Sequence, residues 1–117
     1  MKYSILLMLN ATPKWWVMNN EYRSNLFKQH LFTLFTSYEG HIHFRVFNAD
    51  AFHAHVSDFF TLETSDLAQY YNFLKELRAT KLFTNEYFIL KDIVMGAENG
   101  FKEFNSKSIP KKEVVMN

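Results

Sequence analysis

What this chain can become is set largely by a shortage of helix. Four segments read as strands, most of them apolar on both faces, and only two segments read as helices able to cover them. Residues 3–9 form a short, nearly unbroken apolar run, the pattern of a strand buried on both sides. Residues 41–47 alternate, with Ile42, Phe44 and Val46 on one face and His41, His43 and Arg45 on the other. Residues 56–63 carry Phe59, Phe60 and Leu62, and residues 87–95 are again apolar on both faces. Asn19 and Asn20 cap a first helix whose stripe is Phe27, Leu31, Leu34, Phe35 and Tyr38, with Gly40 as its stop. Thr64-Ser65-Asp66 caps a second, with Leu67, Tyr70, Tyr71, Leu74 and Leu77 facing inward. A loop carries Trp15 and Trp16, and residues 81–85 turn the chain into the last strand.

The order β-α-β-β-α-β predicts an α+β, ferredoxin-like sandwich. Right-handed crossovers put both helices on one face of a four-stranded antiparallel sheet. The other face is then left with apolar groups that a monomer rarely exposes over so large an area. A second copy packed sheet to sheet covers it most simply, so the expected assembly is a homodimer, a dimeric α/β barrel. The alternative is that the polar C-terminal extension folds over that face. Residues 1–104 are expected to form one domain and 105–117 the extension, with a short element at residues 114–116.

Length and composition exclude several classes. At 117 residues, 48% hydrophobic and 21% charged, the chain suits one globular domain. It has no cysteine, hence no disulfides and no thiolate chemistry. The apolar run Ile5-Leu6-Leu7-Met8-Leu9 is shorter than a secretory core of roughly 7–15 residues. No stretch approaches the ~20 apolar residues of a membrane span, so a cytoplasmic protein with no membrane partner is expected. A net charge of +1 gives no basic footprint. Leucine stands where an RNA-recognition sheet needs an aromatic platform, so no nucleic-acid partner is expected.

Reactive side chains concentrate at Asp50-x-x-His53-x-His55-x-x-Asp58, just after His41, His43 and Arg45. A hairpin would bring the two sets together. Imidazole and carboxylate suit a transition metal, but no closed set of three or four ligands can be assembled, and no metal or cofactor is expected. In one register Arg45 pairs with Asp58 across the hairpin. In the neighbouring register Asp58 joins the face of Ile42, Phe44 and Val46 and needs another partner, such as His53 or a backbone N–H. Arg23 and His30, seven residues apart, lie on one edge of the first helix, facing a cleft with Trp15 and Trp16 at its mouth. The candidate pocket residues are therefore Trp15, Arg23, His30, His43, Arg45, Asp50, His53 and Asp58. No nucleophile elbow accompanies them, so acyl transfer has no support.

Four stretches together resemble one known family. They are Asn10-Ala-Thr-Pro-Lys-Trp-Trp16, Gln29-His-Leu-Phe-Thr-Leu-Phe35, residues 45–59 with their Asp50-Ala-Phe-His53 core, and residues 77–88. The chain is similar to the darcynins over residues 3–104. The resemblance implies a single unit in a bacterial setting and supplies no mechanism, because the family has no established activity. Two functions stay open: a small enzyme or carrier of a small apolar or aromatic ligand, working without a cofactor, or a protein–protein interaction module without catalysis.

Overall fold

Strand β1 (Tyr3–Ala11) alternates along its length, burying Ile5, Leu7, Leu9 and Ala11 and leaving Leu6, Met8 and Asn10 half covered. The structure, a computed structural model, describes residues 1–98. The expected C-terminal extension beyond residue 98, with its element at 114–116, lies outside the described residues.

Helix α1 (Pro13–Trp16) is one turn with Pro13 at its first position, where the expectation was an open loop. Proline fixes φ there and has no N–H to waste, so a single turn can form. Helix α2 (Asn20–Leu26) starts on Asn19, whose Oδ1 accepts from the Tyr22 N–H at 2.8 Å. It runs into a π-helical turn at Phe27–Phe32 and continues as α3 (Thr33–Tyr38). The buried side chains Leu26, Leu31, Leu34 and Tyr38 explain the turn. Leu26 and Leu31 are five residues apart, and only a wider turn puts both on the core side. Gly40 does not act as a left-handed stop, since no glycine among the described residues has positive φ.

Strand β2 (Ile42–Asn48) pairs with β3 (Asp58–Thr64), and β3 with β1. Helix α4 (Leu67–Ala79) begins on Asp66, which accepts from the Gln69 N–H. Its buried face is Tyr70, Phe73 and Leu77. Tyr71, expected inside, is 60% exposed and lies under the Lys75 ammonium instead. The i, i+3, i+7 spacing selects Phe73, because residue 71 falls roughly 100° from residue 70. A short helix α5 (Lys81–Thr84) replaces the expected turn, and β4 (Phe88–Ala97) extends two residues past the expected end, to Ala97 opposite Tyr3.

The sheet order is β2-β3-β1-β4, antiparallel throughout, and the fold is α+β and ferredoxin-like. The core lies between sheet and helices, centred on Leu7, Leu31, Phe60, Leu62 and Phe73. The other face carries Leu6, Met8, Phe47, Phe59, Ile89 and Val94 beside Ser4, Asn10, His43, Arg45, Thr61, Glu63 and Asp92. It is thus apolar mainly toward the β2–β3 connection and polar toward the opposite end. Strands β1 and β3 alternate more strictly than their apolar runs suggested.

Candidate functional site

The connection between β2 and β3, residues 49–57, passes into β3 through two buried polar side chains, Ser57 and Asp58. Ser57 stitches this end of the sheet. Its N–H donates to the Leu9 carbonyl at 2.9 Å and its carbonyl accepts from the Ala49 N–H at 2.8 Å. Its hydroxyl accepts from the Ala11 N–H at 2.7 Å and donates to Asp58 Oδ1 at 2.7 Å. The register then settles the question the sequence left open. Arg45 stands opposite Thr61, and Asp58 stands opposite Asn48. The expected Arg45–Asp58 pairing is absent, because Asp58 lies on the helix-facing side of the sheet while Arg45 points to the other. The partner of Asp58 is its neighbour Ser57 rather than His53 or a backbone N–H.

Asp58 opens onto a cleft of about 350 Å³ between the end of the sheet and α1–α2. Trp15, Trp16 and Phe27 form aromatic walls, and Arg23 and Asn48 supply polar groups. The buried Trp15 is braced by Phe88 and Phe27, with ring centroids 4.7 and 5.1 Å away. Arg23 lies over the Trp16 ring at 5.1 Å and donates to Asn20 Oδ1. A cation and a carboxyl therefore share one aromatic-walled cleft without an ion pair between them among the described residues. Burial pushes the Asp58 carboxyl above the usual carboxylate range, the Ser57 hydrogen bond opposes this, and the Asp50 charge adds to it. Such a group can accept or donate a proton nearer neutrality than an exposed aspartate.

Of the eight candidate residues, the structure brings together Trp15, Arg23 and Asp58. His30 is not with them. The π-helical turn adds a residue between positions 23 and 30, so their spacing of seven no longer returns to the same edge. The His30 Nε2 is buried with no hydrogen-bond partner among the described residues. His43 and Arg45 lie on the opposite face of the sheet, and Asp50 is exposed on the connection. His53 borders a separate apolar pocket of about 190 Å³ on that opposite face. The two sets of histidines do not meet: His43 pairs with Glu63, far along the strands from residues 53–55. Among the described residues no three His, Asp or Glu side chains converge as metal ligands would. Asn48 and Phe27 at the cleft, and Ser57 bonded to Asp58 behind it, are not among the residues expected from sequence. The serine had no visible signal, but a carboxylate one residue on, expected to be buried in one register, was a hint of it.

The sequence model of the darcynins, described as a domain of unknown function, matches residues 2–111. The chain belongs to the darcynin family. A darcynin of Chromobacterium violaceum is 33% identical over 66 residues, covering 56% of this chain and 84% of that protein. A darcynin homolog of Streptomyces avermitilis is 24% identical over 95 residues, covering 81% and 78% respectively. Among solved structures, a heme-binding protein of Thermus thermophilus superposes with a TM-score of 0.74 at 17% identity. That match covers 89% of this darcynin and 44% of the other chain. Chlorite dismutase of Candidatus Nitrospira defluvii superposes with a TM-score of 0.71, also at 17% identity, over 81% of this chain and 39% of that one. The darcynin thus spans about two fifths of the length of these proteins. At such identity the likeness concerns the fold alone.

Proposed function

We propose that this darcynin binds a small planar organic molecule in the cleft between α2 and the sheet, with an aromatic acid as the best-matched class. The observation that carries the reading is Asp58: a buried carboxyl held by one hydroxyl, sharing an aromatic-walled cleft with the Arg23 guanidinium. Sites of this kind join apolar walls to a few convergent polar groups, in volumes of roughly 300–1,000 Å³. Arg23 would take the ligand's carboxylate, Trp16 and Phe27 its ring, and Asp58 a hydroxyl or amine donor at the far end. Asp58 is also the group here best placed for proton transfer, which leaves both a carrier and a cofactor-independent enzyme within this reading.

Heme, bound by the Thermus protein, does not fit the cleft. An axial ligand is needed, and no His, Met or Tyr is among the side chains lining it. The pocket beside His53, about 190 Å³, is below the range of sites for molecules of that size.

The test is a titration of the tryptophan fluorescence with a panel of aromatic acids. Saturable quenching is expected, weakened at least tenfold by Arg23→Gln. A panel without any saturable response would remove the ligand reading and leave the interaction module. A second reading concerns assembly: a second copy of the chain covers the open sheet face. Its support is the row Leu6, Met8, Phe59 and Ile89, which the helices leave uncovered. This would be a homodimer working in the cytoplasm; no helix among the described residues is long and apolar enough to cross a membrane.

A further inference from the structure

Phe52 is the most exposed aromatic of the described residues, at 88%. It does not hang from a slack loop. The Phe52 and His53 N–H groups both donate to the Ala49 carbonyl, at 2.9 and 3.0 Å. His53 Nδ1 accepts from the His55 and Val56 N–H groups at 3.0 Å each. Ala49 and Ser57 close the base of the connection. A tight hydrogen-bonded turn thus holds a phenyl ring out in water, where it gains nothing from the fold of its own chain.

Beside that turn, on the open face of the sheet, lies the apolar pocket lined by Leu6, Met8, Ala49, His53, Val56 and Phe59. Its volume of about 190 Å³ slightly exceeds the roughly 150 Å³ of a cavity that takes benzene. The pocket has the size and lining for one phenyl ring. His53 cannot turn away from it freely, because its Nδ1 is tied to two backbone donors.

Area points to the occupant. Four strands roughly 4.8 Å apart, of nine, seven, seven and ten residues at roughly 3.3 Å per residue, present a face of roughly 520 Å². Two such faces bury roughly 1,050 Å², just short of the ~1,200–2,000 Å² of stable interfaces. A buried phenylalanine contributes roughly 150–250 Å² beyond the sheet face itself. Two seated rings therefore bring a sheet-to-sheet pair into the stable range. A two-fold axis near the β2–β3 connection lets this happen twice, since ring and socket sit side by side on the same subunit. We infer that Phe52 of each subunit plugs the Leu6–Met8–Phe59 pocket of a second copy, an inference that rests on the assembly reading above.

Sedimentation equilibrium of the full chain and its Phe52→Ser variant, from micromolar to millimolar, decides it. Because Phe52 is exposed, the variant keeps the fold, which circular dichroism verifies. The expected result is a wild-type dimer whose dissociation constant rises at least a hundredfold in Phe52→Ser, with Phe52→Leu recovering part of the loss. A dimer unaffected by Phe52→Ser overturns the plug and leaves the sheet-face assembly standing. A wild type that stays monomeric at millimolar concentration overturns both.

Discussion

Burial lifts the Asp58 carboxyl, and the folded chain therefore holds that proton more tightly than the unfolded chain does. Stability consequently falls as pH rises from the unfolded value near 3.8 through the folded one, and the full cost is present above it. Asp58→Asn keeps an acceptor for the Ser57 hydroxyl and removes the charge. It is expected to melt higher than wild type at pH 7, with the advantage fading as pH falls toward 3; thermal scans at pH 3, 5 and 7 measure it. Equal melting at pH 7 would mean that Arg23 already compensates the carboxylate across the cleft. Ser57→Ala should do the reverse, costing about 1–3 kcal/mol by orphaning the buried Ala11 N–H, as urea unfolding would show. The two possible faces of Asp58 were legible in the sequence, and the choice between them was not. It is made by nine connecting residues whose backbone bonds leave no trace in residue type.

Helix α3 is tied to α4 by the Tyr38 hydroxyl, which donates to Glu76 Oε2. That hydrogen bond, then burial and the Glu76 charge, pushes the phenol up to about 12 from 10.0. The neutral phenol is the form the fold prefers, so this contribution is complete below pH 10 and is lost as pH climbs from 10 to 12. Tyr38→Phe should cost about 1 kcal/mol in urea unfolding at pH 7 and flatten the alkaline end of the stability profile. Both helices and all four strands were readable from apolar periodicity. The π-helical turn was not, since Phe27 mimics a regular stripe in place of the buried Leu26. The gap of five between Leu26 and Leu31 was its one signature. Tyr71 misled for a related reason: residue type favoured burial, while angular position assigned that place to Phe73.

Across the whole molecule, element order alone predicted the sheet topology and the side on which the helices lie. It did not reveal that the free face is two-toned, because apolar runs in β1 and β4 read as uniform until the ladder assigns each residue a side. In β4 that assignment also depends on a bulge, where Leu9 and Met8 face Leu90 and Asp92 and Lys91 is the extra residue. If a second copy covers the apolar end, the melting temperature should rise with protein concentration. Ile89→Lys, on that end and 51% exposed, should abolish the dependence without lowering the melt of dilute protein. The longest helical segment holds a further consequence. Arg23 stands before the surplus residue of the π turn, and Leu34 and Tyr38 stand after it. Excising one residue there would swing the guanidinium about 100° around the rod while the anchored half stayed seated. The angle between the two charged walls is thus a matter of helical phase, and the buried Leu26, which would turn with Arg23, ties that phase to the core.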